Sequence, residues 1–139
     1  MIIDGKAIAE DIYTELAPKF AALPDKVKLG IIVVGANPVI ESFVGIKTRA
    51  AERLGVEMVR INVSGKSDGG KILQAVERLN TLADAVIVQL PLPAGIVTNE
   101  ILAAVPKEKD VDALNPAISE ADRPVRAPVA CEVSREPLG

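Results

Sequence analysis

The chain contains no histidine, no tryptophan and a single cysteine among its 139 residues. Without histidine it lacks the commonest general base and the commonest metal ligand, so acid–base work falls to Lys, Asp, Glu, Tyr13 or Cys131. One cysteine excludes an internal disulfide and a cysteine-based zinc site, and no metal site is expected. Aromatics are nearly absent: Tyr13, Phe20 and Phe43 are the whole set. The core must therefore come from Ile, Val, Leu and Ala, and an aromatic outside it merits notice. No basic excess exists, since the net charge is −3; a nucleic-acid partner, which calls for a basic stripe, is not expected. The longest apolar run, Leu29 to Val34, is far too short to cross a bilayer. Asp4 stands where a secretion signal would be basic and then apolar. The expectation is a soluble cytoplasmic protein.

What is present is apolar residue in quantity, 49% of the chain, arranged with alternating periods. Asp4 and Gly5 open a helix over about 5–22, with Ile8, Ile12, Leu16 and Phe20 recurring every four residues. Pro18 should kink or shorten it by removing a backbone donor. Leu29–Val34 is a β-branched run of the kind buried on both faces in a parallel sheet. Gly35-Ala36-Asn37-Pro38 is a loop, and a second helix runs from about Val39 to Leu54, stopping at Gly55. A second strand is expected over Val56–Val63. Ser64–Gly70 is a loop, and Ile72, Leu73, Val76 and Leu79 form the apolar face of a third helix. Ala85–Leu90 is a third strand, Pro91–Gly95 a rigid turn, and Thr98 caps a short helix ending near Ala104. The order strand–helix–strand–helix–strand implies right-handed parallel crossovers and an α/β three-layer sandwich around a mainly parallel sheet. Residues 1–116 read as one α/β domain. Residues 117–139 read as a proline-rich, mostly irregular tail with one short helix near 130–136.

Ligands of such sheets bind beyond the carboxyl ends of the strands, here Gly35–Asn37, Val63–Gly65 and Gln89–Pro93. Phe43 and Lys47, at i and i+4, share one face of the second helix. They are open to a bland reading, Phe43 as core and Lys47 as a solvated rim residue. Gln89 ends an apolar run and must find hydrogen-bond partners, either backbone groups or a ligand. Asp110 and Asp112 form either a solvated turn or a grip for a planar pair of donors. Gly65–Lys71 comes near a phosphate-binding loop, but Ile72 stands where the metal-ligating hydroxyl belongs, and a mobile loop with a glycine helix start is preferred. No G-x-G-x-x-G dinucleotide motif occurs.

Taken together, five segments resemble one family. Ile3-Asp4-Gly5-Lys6, Val34-Gly35-Ala36-Asn37-Pro38, Ser42-Phe43-Val44-Gly45-Ile46-Lys47, Val88-Gln89-Leu90-Pro91-Leu92-Pro93 and Lys109-Asp110-Val111-Asp112 are similar, in order and spacing, to the methylenetetrahydrofolate dehydrogenase/methenyltetrahydrofolate cyclohydrolase family over about residues 2–116. The last two segments are the most specific. The resemblance implies the catalytic-domain fold and a small-molecule folate as partner. It implies Lys47 as the catalytic lysine, Gln89 as the residue that holds and tunes it, and Asp112 as the pterin-binding carboxylate. Phe43 occupies a tyrosine position and can still stack on the folate. Backbone groups of Val88 and Leu90, with Pro91, would line the pocket. A lysine buried beside an apolar ring has its charged form disfavoured, which suits a base.

Departures from the family pattern accompany the likeness. Phe43 lacks the tyrosine hydroxyl, Ala113 replaces a glycine, and Pro128-Val129-Ala130-Cys131 lacks the threonine of a P-x-T-P segment. The 27 residues after Asp112 are too few for an NADP-binding Rossmann domain, so no cofactor site is expected. The leading expectation is hydrolysis of 5,10-methenyltetrahydrofolate to the 10-formyl form. Its rivals are a folate-binding or regulatory module without catalysis, and a subunit or fragment of a dehydrogenase whose NADP domain lies on another chain. Self-association, as a homodimer, is also expected.

Overall fold

A computed structural model describes residues 2–119 and 121. The helix expected near 130–136 and the Pro128–Cys131 segment lie outside the described residues. The elements run α1 (Gly5–Ala21), β1 (Lys28–Val34), α2 (Pro38–Arg53), β2 (Glu57–Val63), α3 (Gly69–Leu82), β3 (Ala85–Val88) and α4 (Thr98–Ala103), followed by a 3-10 turn at Lys107–Lys109. The three strands form one parallel sheet in the order β2-β1-β3. Lys28 pairs with Glu57 at one end and Val34 with Val63 at the other, while Leu29–Ile32 pair with Ala85–Val88.

The buried strand expected from the Leu29–Val34 run lies at the sheet centre. Its alternate side chains enter two separate cores. Ile32 and Val34 pack with Ile72, Val76 and Leu79 of α3 and Ile101 of α4. Ile31 and Val33 pack with Ile40 and Val44 of α2 and with Ile87. Helices therefore cover both faces, which is the three-layer α/β arrangement. Gly30 admits α3 to close range: a Cβ there would stand 2.5 Å from Leu79 Cγ. The helix starts are set by side-chain caps, as Asp4 accepts the Lys6 and Ala7 amides and Asn37 those of Val39 and Ile40. Gly55 ends the α2 segment at φ +71°, a conformation costly for residues with a Cβ.

Three local expectations need correction. Pro18 lies inside α1 without shortening it. It falls in the last turn of an exposed helix, where the carbonyl that loses its partner is open to water. Thr98 begins α4 rather than capping it; Val97 holds the cap position and makes no side-chain bond. The preceding turn, closed by Ile96 N–H on Pro93 C=O at 3.3 Å, delivers the chain one residue earlier. β3 ends at Val88, although Gln89 N–H still donates to Ile32 C=O at 3.0 Å. α1 has no fully buried residue, and Ile8 and Ile12 remain exposed on its apolar face. Its clearest tie to the body is Arg53 of α2, which grips Glu10 with both guanidinium nitrogens and lies over the Tyr13 ring. No described helix is long and apolar enough to cross a membrane.

Candidate functional site

At the carboxyl end of the sheet, the loops after β1 and β2 touch. Gly35 N–H donates to Val63 C=O at 2.8 Å, and a Cβ on Gly65 would come within 3.1 Å of the Gly35 Cα. This closure starts α2 immediately after β1. The helix buries Ile40 and Val44 and turns Phe43 and Lys47 toward the ends of the strands.

Lys47 Nζ donates to Gln89 Oε1 at 3.1 Å and stands 3.9 Å from Asp112 Oδ2. Three side chains separated by 42 and 23 positions of sequence thus converge, and the bland reading of Lys47 as a solvated rim residue is set aside. Gln89 is 9% exposed, and its amide is used at both ends, since Nε2 donates to Leu90 C=O at 2.9 Å. An amide held in this way presents a fixed acceptor to the lysine. Lys47 itself keeps a third of its side chain exposed and faces a carboxylate and an amide oxygen. It also lines an apolar hollow with Leu29, Ala50, Leu54 and Val111.

Asp112 is delivered by a turn running beside β3. Asp110 forms a parallel bridge with Val86, extending the sheet by one residue. The Asp110 carboxylate accepts the Asn115 N–H at 2.7 Å, and Asn115, buried, donates to Val105 C=O at 2.8 Å. Ala113 follows at φ +54°, which explains why a glycine suits this place. Burial pushes the Asp112 carboxyl above its ordinary value; the Lys47 charge opposes this, and the Asp110 charge adds to it. A carboxylate that is partly desolvated, next to one cation, can receive a planar pair of donors at low solvation cost.

Phe43 is 54% exposed, not core. With so few aromatics available, an exposed ring one turn from Lys47 is a surface on which a flat ligand can stack. Val88 turns its side chain into the core shared with α3, so only its backbone can face a ligand. Leu90 contributes its carbonyl to Gln89, and Pro91, joined to it by a cis peptide bond, is exposed.

Gly65–Lys71 does not fit a phosphate. Asp68 Oδ1 accepts the Lys71 N–H at 2.9 Å, so a carboxylate occupies the helix start that a phosphate would need.

Sequence reasoning missed two supporting residues. Lys109 Nζ donates to Asn80 C=O at 2.6 Å and Ala83 C=O at 2.8 Å, closing the carboxyl end of α3. Asn115, the second, donates its side-chain amide to Val105 C=O at 2.8 Å.

The comparisons with known proteins agree with this geometry. The profile described as "Tetrahydrofolate dehydrogenase/cyclohydrolase, catalytic domain" matches residues 3–112. The chain belongs to the tetrahydrofolate dehydrogenase/cyclohydrolase family, through that catalytic domain. It is 36% identical over 118 residues to the bifunctional protein FolD of Methanoculleus marisnigri, covering 84% of this chain and 42% of that protein. It is 37% identical over 121 residues to the FolD of Rickettsia canadensis, covering 83% and 42%. Among solved structures, the FolD dehydrogenase/cyclohydrolase of Campylobacter jejuni matches with TM-score 0.78 and 31% identity, covering 81% of this chain and 42% of that one. A 5,10-methylenetetrahydrofolate dehydrogenase from Bombyx mori matches with TM-score 0.75 and 32% identity, covering 80% and 40%. The chain spans less than half the length of the curated relatives it matches.

Proposed function

We propose that this chain binds tetrahydrofolate derivatives in the cleft of Phe43, Lys47, Gln89 and Asp112, and hydrolyses 5,10-methenyltetrahydrofolate to 10-formyltetrahydrofolate. The observation that carries the reading is the contact of Lys47 Nζ with Gln89 Oε1 at 3.1 Å, beside the Asp112 carboxylate at 3.9 Å. In the substrate, one carbon bridges N5 and N10 as a delocalised cation. Water adds to that carbon and gives a tetrahedral centre bearing a hydroxyl. The bond from that carbon to N5 then breaks, leaving a formyl group on N10. One proton of the water ends on N5 and the other is released.

Within this scheme Lys47 takes the proton from the attacking water. Gln89 fixes the lysine nitrogen. Asp112 accepts from the amino group and ring N–H of the pterin, and Phe43 stacks on its face. Positioned base catalysis of this kind contributes roughly 10²–10⁴-fold. The test follows the loss of methenyl absorbance with purified protein and with Lys47→Ala. The reading expects a rate above the uncatalysed one that falls by about 10²-fold or more on substitution. No rate above background, or an unchanged rate in the variant, contradicts it.

Two specific observations favour alternatives. Phe43 carries no hydroxyl, which favours a folate-binding module without turnover; calorimetry showing tight binding and no hydrolysis would establish that. The family description names a dehydrogenase as well as a cyclohydrolase, which favours a role as the folate-binding part of a dehydrogenase whose NADP domain is on another chain. NADP-dependent activity appearing only after mixing with such a partner would establish that instead. The exposed Ile2, Ile3, Ile8 and Ile12 favour self-association as a homodimer. Light scattering showing a monomer at high concentration contradicts this.

A further inference from the structure

Asp110 ties the turn that carries Asp112 through both its backbone and its carboxylate. Its backbone is bridged to Val86 of β3. Its carbonyl accepts the Ala113 N–H at 3.3 Å, and its carboxylate accepts the Asn115 N–H at 2.7 Å. These two bonds span Asp112 from both sides. Asn115 is locked in turn by Val105 C=O and by the Ala117 N–H at 2.8 Å, so the far end of the turn is tied to the segment after α4. Lys109 anchors the near end on α3. Asp112, 29% exposed and with Lys47 as its one ionic partner among the described residues, has little of its own to hold its direction.

We propose that Asp110 is a positioning residue: its carboxylate, through the Asn115 amide, holds the turn that aims Asp112 at Lys47 and at the pterin. The inference rests on the folate reading above for the ligand, but not for the geometry. A second consequence is electrostatic. Among the described residues, the charged groups facing Asp112 are Lys47 from α2 and Asp110 from its own turn; the residue after β3 contributes the neutral Gln89 there, and the Lys109 ammonium is committed to carbonyls at the end of α3. The Asp110 charge is one of the causes that hold the Asp112 carboxyl up. Asp110 thus supplies both the aim of Asp112 and part of its readiness to take a proton.

Two substitutions separate these effects. Asp110→Asn keeps an oxygen able to accept the Asn115 N–H and removes the charge. Asp110→Ala removes both. With 5,10-methenyltetrahydrofolate as probe, Asp110→Ala is expected to raise KM about tenfold, the loss of one good oriented hydrogen bond, with kcat changed less than threefold. Asp110→Asn is expected to keep KM within about twofold and to move the acid limb of the kcat/KM profile to lower pH. A KM unchanged in Asp110→Ala, or an Asn variant as impaired as the Ala variant with an unmoved pH profile, overturns the proposal. Carbon-13 NMR titration of the Asp112 carboxyl in the ligand-free protein stands independently of turnover. It should show a lowered Asp112 pKa in Asp110→Asn, and no change there overturns the electrostatic part. If the unsubstituted chain neither binds nor hydrolyses the probe, the folate reading fails while the NMR result still decides the role of Asp110.

Discussion

Replacing Gly30 by alanine places a methyl where α3 already lies. The new Cβ would stand 2.5 Å from Leu79 Cγ and 2.8 Å from both of its Cδ atoms. Carbon atoms in contact prefer about 3.5–4.0 Å, so roughly 1 Å of displacement is needed. Leu79 is fully buried and shares its core with Ile72, Val76 and Ile101, so it cannot swing into solvent. Overpacking of this kind costs about 1–3 kcal/mol, offset in part by the roughly 0.5–1 kcal/mol that alanine gains over glycine in a strand. Leu79→Ala alone should cost about 2–5 kcal/mol through the cavity it leaves. In the double variant the clash is gone and the added methyl enters that cavity. The combined loss is therefore expected to be about 2 kcal/mol smaller than the sum of the singles, within the range seen for residues in contact. Urea unfolding of the four proteins measures this. Additivity within about 0.5 kcal/mol, or a Gly30→Ala variant as stable as the parent, would refute the packing described for β1 against α3.

The pH dependence of Asp112 has a definite sign. Its folded carboxyl is held above the ordinary 3.8, so the folded state binds the proton more tightly than the unfolded chain. The resulting stability is fully present below that value and is lost as pH rises through the raised one. Asp112→Asn lacks this loss and should gain stability relative to the parent as pH rises from about 3 toward 7; urea midpoints across that range check it, and a relative loss contradicts it. Ala113→Gly should be neutral within about 0.5 kcal/mol. Relief of a left-handed conformation, worth roughly 1–2 kcal/mol, is cancelled by chain entropy of about 0.4–1 kcal/mol and a buried methyl of about 0.8 kcal/mol. Ala75→Gly in α3, with no such relief, should lose about 2 kcal/mol by the same denaturation assay. Lys109→Met removes two charge-assisted bonds to the end of α3 and should cost about 1–3 kcal/mol, with faster amide exchange in the last turn of α3.

The parts of the fold that were legible in the sequence are those written in local patterns. The β-branched Leu29–Val34 run is buried because both faces are covered. Asn37-Pro38 starts α2 through a side-chain cap, and Gly55 stops it through a positive φ. The meeting of Lys47, Gln89 and Asp112 came from the resemblance, since spacing alone left each with an ordinary reading. What was not legible depends on where distant segments land. Pro18 is harmless only because α1 is exposed and the proline falls in its last turn. The role of Lys109 needs the end of α3 beside it, and that of Asn115 needs the Val105 carbonyl beneath it. Lys47 lines an apolar hollow, and its contacts with an amide and a carboxylate depend on segments 42 and 65 positions away.

The central claim is that one cleft, formed by side chains from α2, the end of β3 and the Asp110–Asn115 turn, receives a folate. Nitrogen-15 NMR mapping of the protein titrated with tetrahydrofolate tests it most directly. Shifts are expected to centre on Phe43, Lys47, the Gln89 side-chain amide, Leu90 and Asp112, and to vanish in Asp112→Ala. Shifts centred elsewhere, for example in the hollow between Ala17, Pro24 and Lys26, or no shift at millimolar ligand, would contradict it.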